Sequence, residues 1–154
     1  MFGLKLKDAK SMFFDRAAVT SAVDKATRTV LGKFGAYVRR AARASIKKRP
    51  EASLPGRPPS SHTGILRDFI FFSYNDAERS VVIGPAKLNN GWSSASGSIK
   101  SANAPEVLEH GGYTIITFGK NKGQKKYVKA RPYMWPAYES REKELPKLWQ
   151  NSVK

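Results

Sequence analysis

No cysteine occurs in the 154 residues. That excludes disulfides and thiolate metal sites, and it suits a reducing compartment without specifying one. There are only two histidines, His62 and His110. Both fall in segments read as loops, and neither has a second ligand at helical spacing, so the pattern of a metal centre is missing. Acids are scarce and scattered, twelve in all, whereas nucleases gather several carboxylates around a divalent ion. Glu106 and Glu109 are three apart but have no third acid nearby. The basic stretch Gly119-Lys120-Asn121-Lys122-Gly123 lacks the order of a phosphate-binding loop, and no Gly-x-Ser-x-Gly elbow is present. No apolar run approaches the ~18 residues of a membrane span. The opening Met1-Phe2-Gly3-Leu4-Lys5 is not followed by the apolar core of a signal peptide. A metal-free ribonuclease pairing a histidine with lysines is the one catalytic reading left open. The balance of the sequence points away from an enzyme and calls for no cofactor.

What the chain has in excess is positive charge. Twenty-eight basic residues face twelve acidic ones, a net +16 with a pI near 10.3. Such an imbalance favours a polyanionic partner, or an acidic protein surface. It is also uneven. Arg16 to Ser60 holds eleven basic residues against Asp24 and Glu51 alone, and Gly112 to Arg131 holds six with no acid. The stretch from Glu139 to Lys154 is nearly balanced. With 40% apolar residues and a mean hydropathy of −0.49, the length fits one soluble domain with a modest core.

Residues 1–15, with Leu4, Leu6, Met12, Phe13 and Phe14, read as an extended arm or edge strand. The rest, 16–154, reads as a single domain. From Val19 to Lys48 the positions Val19, Val23, Ala26, Val30, Phe34, Tyr37/Val38, Ala41 and Ser45/Ile46 step by threes and fours, one stripe along a helix. Thr20 or Ser21 is placed to cap it and Asp24 to meet its positive end. Arg39, Arg40, Arg43, Lys47, Lys48 and Arg49 gather in its last turns, and Pro50 stops it. Gly32 and Gly35, each unfavourable by up to ~1 kcal/mol in a helix interior, permit a close crossing against a sheet or helix.

Loop 50–64 carries four prolines and two glycines. Ile65–Tyr74 and Arg79–Gly84 read as an antiparallel hairpin turning at Asn75-Asp76-Ala77-Glu78. Segment 86–103 is small and polar, a flexible excursion with Trp92 its only large anchor. A short helical turn, Ala104 to His110, precedes Gly111-Gly112. Tyr113–Phe118 and Tyr127–Ala130 form a second hairpin around a basic turn. A last helix starts near Trp135, and Pro146 ends or kinks it. The expected class is α+β, an antiparallel sheet with the long helix on one face and a second helix at the C-terminus.

Three motifs recur in a familiar order: Ser61-His62-Thr63-Gly64-Ile65-Leu66-Arg67 after the proline loop; Ala104-Pro105-Glu106-Val107-Leu108-Glu109-His110-Gly111-Gly112; and Ala130-Arg131-Pro132-Tyr133-Met134-Trp135-Pro136-Ala137 opening the last helix. With the basic helix before them, they resemble the neck or tail-completion (head–tail joining) family of tailed bacteriophages, over roughly residues 17–145. The chain departs from the family in its insertion around 87–103 and in Gly111-Gly112, where relatives more often carry Glu-aromatic-Gly-Thr. The resemblance implies a virion protein, made in the host cytoplasm. It would form a homo-oligomeric ring of six subunits between the head connector or adaptor and the tail terminator or tube. It implies neither cofactor nor catalysis.

Double-stranded DNA would pass through such a ring without base readout. The candidates for its channel are Arg39, Arg40, Arg43, Lys47 and Lys48 on the helix and Lys120, Lys122, Lys125 and Lys126 on the basic turn; a solvated charged face is the plain alternative. Candidates for subunit contacts are Phe13, Phe14, Thr63, Leu66, Arg67, Glu109, Arg131, Tyr133 and Trp135. Glu109 is a solvated acid or a partner for Arg131 or Arg67 across a boundary, and Tyr133 to Trp135 pack in the core or at the interface. A reading from another class, a basic nucleic-acid-binding module acting alone, is told apart by assembly state.

Overall fold

The computed structural model describes residues 15–86, 93–94, 97–98, 104–116 and 120–153. The N-terminal arm with Phe13 and Phe14, and most of the 86–103 excursion including Trp92, lie outside the described residues.

The basic, apolar-striped segment forms α1, Arg16–Ser45. It begins earlier than the apolar spacing suggests, because Asp15 supplies the cap: its Oδ1 accepts the Ala18 N–H at 3.0 Å. An acceptor there satisfies one of the free N–H groups of the first turn. Thr20 is therefore inside the helix, its hydroxyl donating to the Arg16 carbonyl. Asp24 is mid-helix and pairs with Arg79 at 3.0 Å rather than meeting the helix N-terminus. The buried stripe is Ala26, Thr27, Val30, Phe34, Gly35, Val38 and Ala42, continued by Ile46 beyond the last turn. Val19 and Val23 share the spacing, yet stay 44% and 39% exposed.

The stripe packs on a hairpin, β1 (Ile70–Asn75) and β2 (Ser80–Pro85), antiparallel with Phe72 opposite Ile83 and Tyr74 opposite Val81. Side chains alternate across a strand. Ile70, Phe72 and Tyr74 thus turn towards α1, while Phe71 and Val82 face outward, 48% and 65% exposed. Two ion pairs, Arg28–Asp76 and Arg79–Asp24, tie α1 to the hairpin's turn region. Both are exposed, and such pairs contribute only about 0–1 kcal/mol.

The strand expected from Ile65 is interrupted. Gly64 takes the left-handed φ of 84°, its N–H donates to Ser61 Oγ, and the Asp68 N–H returns to the Gly64 carbonyl at 2.9 Å. The result is one helical turn, α2 (Ile65–Asp68), before the strand begins. Leu66 and Arg67 therefore sit on a turn of helix.

Ser93–Ser94 and Gly97–Ser98 form a small ladder, β3 and β4. Ala104–His110 is a short helix, α3. The second hairpin is β5 (Gly112–Ile115) and β6 (Lys125–Val128), with Tyr113 opposite Tyr127 and Ile115 opposite Lys125. Among the described residues it is a ladder of its own, not continuous with β1–β2, so the sheet under α1 has two strands. The C-terminal segment is α4 (Met134–Glu142) and α5 (Leu145–Trp149). Pro146 stands in the opening turn of α5, where its missing N–H leaves no bond unmade; the break between α4 and α5 falls at Lys143–Glu144, just ahead of it, as for a proline that ends or kinks a helix. α4 lies against α1, Phe34 meeting Tyr138 edge to face at 5.9 Å. The core joins Phe34, Val38, Ala42, Ile46, Ile70, Tyr133 and Ala137. The expected α+β class, a long helix on an antiparallel sheet with a C-terminal helix, is the class observed.

Candidate functional site

The second and third motifs meet at one carboxylate. α4 opens on Arg131-Pro132-Tyr133, with no serine, threonine, aspartate or asparagine to cap it, and Tyr133 makes no side-chain cap bond. The acceptor comes from α3. Glu109 Oε2 accepts the N–H groups of Tyr133 and Met134 at 2.9 and 3.0 Å, and Oε1 accepts that of Trp135 at 2.8 Å. A negative group here satisfies the free donors and meets the positive end of the helix dipole. Glu109 thus works within its own chain, and neither Arg131 nor Arg67 pairs with it. The Arg131 N–H reinforces the junction by donating to the Leu108 carbonyl at 2.6 Å.

Arg131 also fastens the proline loop. Its Nε donates to the Ser53 carbonyl at 2.9 Å, while the Gly56 N–H donates to the Ala130 carbonyl at 2.8 Å and the Ser61 N–H to the Lys47 carbonyl at 3.1 Å. The loop is pinned at three points.

Tyr133, an interface candidate from sequence, is 1% exposed and belongs to the core. Burial, and next the Glu109 charge, push its phenol well above its ordinary 10.0. A folded state that keeps this proton has its full advantage below pH 10 and loses it as pH rises from there toward the raised value. Alkaline unfolding followed by circular dichroism should therefore steepen above pH 10, and Tyr133→Phe should blunt that loss.

Trp135 is 61% exposed. It stacks on Tyr138 at 5.5 Å and donates from Nε1 to Glu139. Tyr138 donates to Glu142, whose charge raises the tyrosine's pKa. Leu66 is half-buried against the core. Thr63 is exposed, with only a long 3.4 Å contact from the Ile65 N–H, and Arg67 lies 3.5 Å from Asp68.

The helix cations divide. Arg39 Nε donates to the Ile70 carbonyl at 2.7 Å and its guanidinium covers Phe71. Arg43 pairs with Asp68 at 3.1 Å. Both fasten α1 to its neighbours instead of standing free for a polyanion. Arg40 is exposed on α1, whereas Lys47 and Lys48, expected on the helix, lie exposed just beyond its end at Ser45; none of the three has a carboxylate partner among the described residues.

Lys120 and Lys122 stand on the exposed turn of the second hairpin, while Lys125 and Lys126 are already in β6. On one face of that hairpin Tyr113, Ile115 and Tyr127 are 63%, 63% and 56% exposed. The two tyrosines meet edge to face at 5.1 Å, and Lys125 Nζ lies 4.6 Å over Tyr113. Sequence reasoning names the lysines but misses the tyrosines, whose alternation Tyr113-x-Ile115 is the available signal.

No helix among the described residues is long and apolar enough to cross a membrane. No protein-family model, curated protein or solved structure matches the chain.

Proposed function

We propose that the chain is a structural subunit of a tailed-phage particle. Identical copies form a ring at the head–tail junction, joining the head connector to the tail terminator or tube around double-stranded DNA. The observation that carries this reading is the face of the second hairpin. Tyr113, Ile115 and Tyr127 leave an apolar surface open on a monomer, with Lys125 on the same face and Lys120 and Lys122 on the adjoining turn, and no acid among them. Exposed apolar area of this kind suits a protein contact, and the cations at its border suit a polyanion running past it. A contact between different faces of neighbouring copies closes into a ring when the rotation allows. The motif order supports the same reading, since the residues of the second and third motifs are used to lock two elements together and not to assemble reactive groups.

Labelling this subunit in assembled virions tests the proposal. The expected density is a closed ring between capsid and tail. Density on the capsid shell or the distal tail would sink the idea. A stand-alone nucleic-acid-binding module is the second reading, favoured by the Lys125-covered tyrosine pair, because exposed aromatics beside cations are how bases are stacked. It requires a monomer or dimer with nanomolar duplex affinity, still tighter for single strands if the tyrosines stack bases, and no place in the particle.

A further inference from the structure

Two clefts flank the proline loop. The first, about 390 Å³, is lined by Lys47 and Arg49 beyond the end of α1 and by Ser53, Arg57 and Ser60 of the loop. The second, about 380 Å³, is lined by His62, Lys126, Lys129 and Arg131. Ser53, Pro59 and Ser60 wall both. Every ionisable side chain lining either cleft, Tyr127 apart, is a lysine, an arginine or a histidine, and no acid enters.

Five arginines elsewhere are neutralised by an acid. Arg28, Arg43, Arg67, Arg79 and Arg141 each meet a carboxylate within 4 Å. Lys47, Arg49, Arg57, Lys126 and Lys129 have no such partner among the described residues. Glu51 is the one acid of the proline loop and makes no ion pair with them, so the short segment carries a net positive field that attracts anions.

A further feature favours binding. The loop is held in place already, through Gly56, Ser61 and the Ser53 carbonyl, so little ordering remains to oppose binding.

We propose that the two clefts hold phosphates of a nucleic-acid backbone, with the proline loop seated between them. The ligand class is a phosphodiester chain, contacted by charge and hydroxyls with no base readout. This deepens the ring reading and rests on it: the DNA contact of each subunit is the loop 50–64 and its two basic walls, not the exposed stripe of α1.

The test compares two triple variants that remove equal charge, Lys47→Ala/Arg49→Ala/Arg57→Ala in the loop cleft and Lys25→Ala/Lys33→Ala/Arg40→Ala on α1. Binding of a short DNA duplex is followed by fluorescence anisotropy from 50 to 200 mM salt, with folding checked by circular dichroism. The loop variant should bind roughly tenfold more weakly at 50 mM. Its log–log salt slope should be shallower by about 2–3, near 0.9 for each phosphate that is no longer neutralised. The helix variant should keep nearly the wild-type slope. Equal losses in both, or a loss confined to the helix variant, would overturn the clefts and leave the DNA reading standing. A wild-type chain without salt-dependent duplex affinity would overturn both. If the loop triple fails to fold, Lys126→Ala/Lys129→Ala puts the same question to the second cleft, and an unchanged slope there would count against it.

Discussion

Replacing Glu109 with alanine should lower the thermal midpoint of the isolated chain by about 6–12 °C. The carboxylate accepts three backbone N–H groups at the start of α4, and no side chain of the helix's own opening residue caps that end. Hydrogen bonds to a charged group contribute about 1.5–3 kcal/mol each when a partner is deleted, but three on one carboxylate are not additive. A total near 3 kcal/mol is reasonable, including the favourable meeting of a negative group with the helix dipole. For a chain of this size each kcal/mol moves the midpoint by about 2–4 °C. Glu109→Gln keeps an acceptor oxygen but loses the charge, and should fall between wild type and alanine. The experiment also separates two roles. A glutamate that worked only across a subunit boundary would leave the isolated chain's midpoint where it was.

The same residue shows what sequence reasoning can and cannot reach. An acid invites a search for a basic partner, so Arg131 and Arg67 come forward as partners. The actual donors are backbone N–H groups, which carry no letter in the sequence. A signal does exist: Arg131-Pro132-Tyr133 offers no capping side chain to the helix it opens, so an acceptor has to arrive from elsewhere. Arg39 and Arg43 teach a related lesson. A cluster of cations at a helix end looks like one feature, but residues on different sides of the helix have different fates. Arg39 and Arg43 turn to β1 and Asp68, while Arg40 stays exposed.

The long helix and the first hairpin are legible because their apolar periods, 3.6 and 2, are imposed by burial on one face. Periodicity does not say where the partner surface stops, which is why Val19 and Val23 match the stripe and remain exposed. Nor does it register a single left-handed glycine. Ile65 to Phe72 is rich in β-branched and aromatic residues and reads as strand, yet Gly64 and the Asp68 N–H wind its first turn into helix.

Gly32 and Gly35 look alike in sequence and should respond to substitution with opposite signs. A Cβ built on Gly35 would lie 2.8 Å from Phe72 Cδ2 and 2.9 Å from Val81 Cγ2. There α1 crosses β1 and β2 too closely for any side chain, and Phe72 and Val81 are held in the packed hairpin. A Cβ built on Gly32 meets nothing within 4 Å. Gly35→Val would drive three carbons into that contact, an overpacking that costs about 3 kcal/mol, from which the small helix-propensity gain of valine over glycine subtracts only tenths. Gly32→Ala removes backbone freedom from the unfolded chain without a clash and should stabilise by up to ~1 kcal/mol. Urea unfolding of the two single variants measures both. A destabilised Gly32→Ala would mean that this face is occupied, and an unchanged Gly35→Val would mean that helix and hairpin do not approach as closely as the structure places them. The double variant sharpens the point. Only Gly35 touches the hairpin, so the midpoint should follow the crossing at Gly35 whatever the helix gains at Gly32.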